Sequence, residues 1–426
     1  MNKRSGVRVV AATAVAALAT AGLVGISTTA ASAASTTITF QVPTVLPAGS
    51  PSPWQAVADA FEKANPGYSV KITELGATGD WQTQIATELQ AGNGPDVFKV
   101  SPGQGQGDSI INLAKAGFLG DLTSSKAVVA ANPKGSAAVM GIKGKTYGLG
   151  TGTTPGVVVA NYSLLYKDGL SWPTTFGQLI ADCKVAVANG KTFFGLAGGM
   201  VPNDQLLAES VLQTTYKDTG WAAKRLAGKV TFAKDKGYAQ ALGQIVTMKN
   251  AGCFQAGAEA GGFADAIDQN FFGQKVYAVF VPGTTAVPFG KYVPPLSGQN
   301  IQATYIPALK AADTRIPASV NTAVALNAKS KNKAAALKFI NFFASAAAQS
   351  AYQAITGDTP MNGSDARPQF APIGPLMDAH KTFEAPLNTF TNAAVSDALG
   401  KGVQGLLTGQ ATVAQVLQSM DAAWGK

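Results

Sequence analysis

The 426-residue chain holds one histidine, His380. A serine-nucleophile relay needs an imidazole beside the hydroxyl, and a catalytic zinc site usually draws on two or three. His380 lies in a polar stretch with no nucleophile motif, so it reads as a surface residue and both chemistries are set aside. Gly148-Leu149-Gly150 and Gly190-Lys191-Thr192 are fragments of phosphate cradles, yet neither completes G-x-G-x-x-G or the P-loop spacing. They read as hinge and turn glycines. What remains is a set of carboxylates at loops or element ends: Asp80, Asp96, Asp204 and Asp358. Two facing carboxylates can hydrolyse a glycoside. One ionised carboxylate can instead accept two sugar hydroxyls strongly. Trp81, at a helix start, offers a flat face to the apolar side of a sugar ring, with core packing as its competing role. Trp54, Trp172, Trp221 and Trp424 read as packing residues.

The ends and the composition narrow the classes further. Lys3, Arg4 and Arg8 precede an apolar, Ala-rich run from Val9 to about Ile26, and Ala31-Ser32-Ala33 forms an A-x-A cleavage site. This pattern predicts a secretory signal over residues 1–33, with Ala34 as the mature start. The first cysteine is Cys183, so no lipid-bearing N-terminal cysteine is expected. Three basic residues leave with the signal, and the formal charge falls from +9 to +6. The remaining ~390 residues suit two domains. Their charges are scattered, which argues against a nucleic-acid surface. For an exported chain with two cysteines, a Cys183–Cys253 disulfide is the economical reading, with two buried thiols as the alternative.

The elements that must position these residues follow from periodicity. Ile38, Phe40 and Val42 alternate as a strand. Trp54, Val57 and Phe61 mark a helix face, ended by Asn65-Pro66-Gly67. Tyr68, Val70 and Ile72 form a second strand, so the unit is βαβ and predicts a parallel sheet with a right-handed crossover. A second unit runs from a helix at about Asp80–Ala91, through the break Gly92–Pro95, to the buried strand Asp96–Val100. Gly103–Gly107 reads as a flexible loop. Farther on, Ala323–Leu326 is a strand and Lys329–Lys333 a basic turn. A helix follows with apolar residues at Leu337, Ile340, Ala344, Ala347 and Ala351, stopping at Gly357 before Pro360.

The order strand, Ser330-Lys331-Asn332-Lys333, helix, Gly357, Pro360 closely resembles a segment of the family 1 extracellular solute-binding proteins. These are the ligand-capture subunits of ABC sugar importers, with maltose-binding protein as a relative. Leu89–Val100 (LQAGNGPDVFKV), Gly144–Leu149 (GKTYGL), Pro173–Phe176 (PTTF), Gly273–Val279 and Val403–Trp424 extend the resemblance over nearly the whole mature chain. It implies a periodic order of the α/β class: a periplasmic-binding-protein-like fold of two lobes, each a mostly parallel sheet flanked by helices. Lobe 1 would be 34–150 plus 305–356, and lobe 2 would be 157–295 plus 361–426. A three-crossing hinge would lie near 151–156, 296–304 and 357–360. Ligands in such sheets sit outside the carboxyl ends of the strands, and closure is a hinge motion.

The resemblance further implies a monomer that captures a carbohydrate or polyol without turnover and delivers it to a membrane permease, with no cofactor or metal. The expected contacts are Gln41, Thr44, Asp80, Trp81 and Asp96 from the first lobe, and Thr154 and Asp358 from the crossings. Ser319 and Asn321 come from the loop before the marker strand, and Asn161, Asn203, Asp204 and Thr284 from the second lobe. The chain departs from the family at Gln41, where Trp is common, at Ala160-Asn161 for Tyr-Asn, and at Ser319-Val320-Asn321 for a Gly-Gly loop. Fewer aromatics and more amides point to a small, very polar solute or a sugar held by hydrogen bonds. A secreted carboxylate-dependent glycosidase and a surface adhesin with a degenerate cleft are the alternatives.

Overall fold

The computed structural model describes residues 35–43, 46–76, 81–132, 136–218, 220–320, 322–360 and 367–425. The expected signal segment and the candidates Thr44, Asp80 and Asn321 lie outside them. In chain order, β1 (Thr36–Pro43), β2 (Tyr68–Leu75) and β3 (Val97–Val100) come first. A small hairpin, β4 (Gly141–Ile142) and β5 (Lys145–Thr146), precedes β6 (Gly148–Gly150), β7 (Thr153–Pro155) and β8 (Val158–Asn161). Then follow β9 (Thr192–Gly195), β10 (Val276–Val279), β11 (Ile301–Thr304), β12 (Ile316–Val320), β13 (Ala323–Leu326) and β14 (Thr382–Phe383). They build a five-stranded sheet, β2-β1-β3-β13-β6, and a four-stranded sheet, β11-β8-β10-β9, one for each lobe.

Both sheets are mixed rather than mostly parallel. In the first, β1 runs parallel to β2 and β3, while β13 opposes β3 and β6. In the second, only β9 and β10 are parallel, and β8 opposes β10 and β11. The reason is topological. The strands that arrive straight from the other lobe, β8 and β13, enter at the hinge edge. They therefore run against strands whose carboxyl ends point to that edge.

The chain passes between the sheets three times. β7 links β6 to β8, β12 links β11 to β13, and Thr359 lies beside β7 through a bridge to Thr153. β7 and β12 pair antiparallel, and β14 joins β12 to make a three-stranded hinge sheet. The second crossing is thus β12, not 296–304. Residues 301–304 are an edge strand of the second sheet, held on β8 from Asn161 to Val158.

The marker segment shows why these residues fold as they do. The expected single helix is two, Lys333–Phe343 and Ala346–Thr356, because Ser345 caps the second by accepting from the Ala348 amide. The buried face of the first is Ala335, Ala336, Phe339, Ile340 and Phe343. The aromatic rings, larger than the alanines, set the packing direction. Phe339 meets Phe40 and Phe61 edge-on at 5.4 and 5.2 Å, and Trp54 packs on Phe40 and Tyr352 at 5.5 and 4.7 Å. Each such ring buried contributes about 1.5–3 kcal/mol. Gly357 ends the second helix at φ 84°, a backbone conformation that favours glycine. In the second lobe, Cys183 and Cys253 are bonded. Among the described residues, no helix is long and apolar enough to cross a membrane.

Candidate functional site

Strand direction identifies the edge at which a solute can meet both lobes. The carboxyl ends of β1, β2, β3, β9 and β10 face the hinge side. At that edge of the first sheet lies a hollow lined by Gln41, Val42, Pro43, Leu75, Trp81, Ile85 and Lys99. Lys99 stands in a strand buried at every position. Its ammonium donates to Ser101 Oγ at 2.9 Å and Asp108 Oδ2 at 3.2 Å, and lies 3.9 Å from the centroid of the Trp81 ring. Ser101 Oγ–H also donates to Asp108 Oδ2, at 3.0 Å. Burial pulls the Lys99 pKa down, while the Asp108 charge works against that fall. The pair is electrically balanced and cut off from water, so each charge depends on the other.

The loop that carries Asp108 is built by short-range bonds. The Ser101 amide donates to the Asp108 carbonyl, the Ile110 amide to the Ser101 carbonyl, and the Gln106 amide to Ser109 Oγ. Gln82 Nε2 reaches Gln106 Oε1 at 2.8 Å and ties the loop to the Trp81 helix. Two buried atoms of this cluster have no hydrogen-bond partner among the described residues: the donor Gln41 Nε2 and the acceptor Asp108 Oδ1. One free donor on Gln41, which lines the hollow, and one free acceptor on Asp108 suit a neutral hydroxyl-bearing solute.

Gln41 and Trp81 are therefore where the sequence places them, at the hinge-side edge. Trp81 does not offer both faces, because the Lys99 ammonium occupies one. Lys99, Ser101, Gln106 and Asp108 were missed. Their signal is a lysine inside an otherwise apolar buried strand, followed by an aspartate in a glycine-rich loop.

Two expected contacts lie at the opposite edge. Asp96 precedes β3 and accepts from the Thr39 amide and Thr39 Oγ1, both at 2.9 Å, and from Ser330 Oγ at 2.6 Å. Burial alone would raise its pKa, but the bonds from Ser330, Thr39 and Asn332 hold it below the usual value. Asp96 joins β1 to the Ser330–Lys333 turn, which makes the family marker a structural clamp. Asn161 ends β8 away from the hinge. It caps the next helix through the Leu164 amide and donates to Gln299 Oε1.

Three others meet at the hinge. Thr154 Oγ1 donates to Asp358 Oδ1 at 3.2 Å, and the Thr284 side chain bonds the same carboxylate. Burial raises the Asp358 pKa to about 6 against the pull of Thr154, Thr284 and Arg367. Ser319 pairs with Thr154 across β12 and β7. Asn203 braces the hinge-side loops of the second sheet, accepting from the Ala197 amide at 2.8 Å and donating to the Phe280 carbonyl at 2.6 Å. Asp204, one residue on, is fully buried, and neither oxygen has a partner among the described residues. Burial raises its pKa to about 8, so it is mainly protonated at neutral pH. No group of three metal-ligating side chains occurs among the described residues.

Two lobes joined by three passages of the chain, with a polar cluster at the edge between them, define a two-lobed binding protein. The chain belongs to the family of bacterial extracellular solute-binding proteins, whose sequence profile matches residues 47–350. No curated protein matched the chain. Solved structures share the fold at low identity. A structure reported with xylan utilization by Caldanaerobius polysaccharolyticus is 22% identical, covering 91% of this chain and 99% of its own, with a TM-score of 0.74. A maltose-bound protein of T. maritima is 18% identical over 92% and 99%, with a TM-score of 0.73. The GacH receptor of Streptomyces glaucescens, solved unliganded and with acarbose, is 20% identical over 92% and 97%, with a TM-score of 0.72.

Proposed function

We propose that the protein is exported by its N-terminal signal, works as a monomer outside the membrane, and captures a neutral carbohydrate or polyol between its lobes. It releases the solute unchanged to the permease of an ABC importer. One observation carries the choice of solute: the unpartnered Gln41 Nε2 and Asp108 Oδ1 beside the balanced Lys99–Asp108 pair. All three ammonium hydrogens have partners in Ser101, Asp108 and the Trp81 face, so no cationic donor is left over for an acidic sugar. Hydroxyl groups can both donate to an acceptor such as Asp108 Oδ1 and accept from a donor such as Gln41 Nε2. Family membership supports the binding role, and the maltose and acarbose of the solved relatives support a saccharide.

The test is mass spectrometry of small molecules released when the purified protein is denatured. A neutral polyhydroxylated compound is expected, and adding it back should raise the melting temperature. Asp108→Asn should weaken its binding more than Asp96→Asn. A negatively charged ligand would overturn the choice of solute. Chemical alteration of the ligand would overturn the binding role in favour of a glycosidase.

A further inference from the structure

The loop from Gly103 to Gly107 alternates glycine and glutamine, and the two residue types have different neighbours. The glutamines are held by the first lobe. Gln104 accepts from Asn112 Nδ2 through its carbonyl and from Lys115 Nζ through its side chain, and Gln106 accepts from Gln82. Two of the glycines touch the second lobe. A Cβ on Gly103 would stand 1.9 Å from the Asn388 carbonyl oxygen, and one on Gly105 would stand 1.9 Å from the Leu387 carbonyl oxygen. Ser396 Oγ donates to the Gly105 carbonyl at 2.6 Å. Leu387 belongs to the second lobe's core, and Gln205 of that lobe holds the Ser396 carbonyl at 2.9 Å. Gly103 and Gly105 are buried, whereas Gly107 is exposed, and a Cβ there would meet only Gln82, at an ordinary 3.6 Å.

We propose that Gly103 and Gly105 are positioning residues that seat the first lobe directly on Leu387, Asn388 and Ser396, so that the lobes close along this edge on protein contact alone. The contact is backbone to backbone and cannot yield by rotating a side chain. Any side chain at either glycine must push the lobes apart. The seam also reaches the site, because Ser101 and Asp108 flank the docked stretch. The proposal holds whatever the solute is.

The test is small-angle scattering on the full mature protein, stripped of solute by unfolding and refolding in buffer. Wild type and Gly107→Ala should be equally compact, whereas Gly105→Ala should have a larger radius of gyration, with circular dichroism confirming its fold. Ser396→Val reads the same seam from the second lobe without touching the loop, so it decides the matter if Gly105→Ala does not fold. It should expand the protein as well. A solute-free wild type no more compact than the seam variants overturns the proposal.

Discussion

Lys99 and Asp108 carry opposite charges in a place where neither reaches bulk water. Removing one member leaves the other as an uncompensated buried charge, which typically costs about 3–5 kcal/mol. Lys99→Met should therefore lower unfolding stability by about that much in urea titrations. The double variant Lys99→Met/Asp108→Leu should recover most of the loss, since replacing both charges removes the desolvation penalty. Gln41 and Trp81 were readable from the sequence because strand alternation and a helix start put them at one edge. Lys99 was not, because a buried lysine is recognised only once its partner is known. That partner lies in a loop whose glycines suggested flexibility. The sequence suggests Asp204 as a ligand contact from its place at a loop or element end, whereas it lies in the helix Val201–Val211 with both oxygens buried.

At the scale of elements, the clamp on Asp96 fastens β1, β3 and the helix Lys333–Phe343. Asp96→Ala strands the Thr39 amide and the Ser330 hydroxyl, at a cost of about 3 kcal/mol. Denaturant titration should show that loss, while affinity for the solute should barely change. Because the folded pKa of Asp96 is depressed, its stabilisation is present above the unfolded value. It fades only as pH falls through the lower, folded value. The disulfide ties the helix Phe176–Ala188 to the segment after Lys236–Asn250 across a separation of 70 residues. Loop-closure entropy assigns such a bridge about 4 kcal/mol. Cys183→Ala/Cys253→Ala should lose up to that amount in the same titration. Local order was largely legible because caps and glycine stops are local signals. The break at Ser345 was missed because alanine continues a helical pattern through a cap. The true second crossing was missed because five residues of β12 carry little periodicity.

At the scale of the molecule, the acidic groups that burial disfavours govern the range from about pH 8 to 5, because Asp96, Asp121, Asp168, Asp218 and Asp313, all held below the usual value, lose their stabilisation only at lower pH. Burial raises Asp204 and Glu209 to about 8, Glu384 to about 7 and Asp358 to about 6. Each has a folded pKa above its unfolded one. The stability tied to their protonated forms is complete below about pH 4 and is lost as pH rises through the folded values. The melting temperature should therefore increase as pH is lowered from about 8 to 5, opposite to a protein held by ionised carboxylates. Asp204→Asn should flatten the slope, and a melting temperature constant over that range would contradict the burial of these groups. The two-lobed plan was legible because the order of many short motifs is a global signal. The direction of β8 and β13 was not, since it depends on which edge the chain enters.

The threefold passage of the chain between lobes also governs the order of assembly. β13 is the inner strand that joins β3 to β6, so residues 97–100 and 148–150 wait for 323–326 before the first sheet is continuous. Pairings so distant along the chain are slow to form and leave strand edges uncovered meanwhile. A chain halted before residue 323 would hold a split first sheet and a second lobe without the helices Ala393–Thr408 and Val413–Trp424, and neither lobe would be an independent product of synthesis. The nascent protein would thus remain in a form that a chaperone or an export channel can hold until almost all of it has been made.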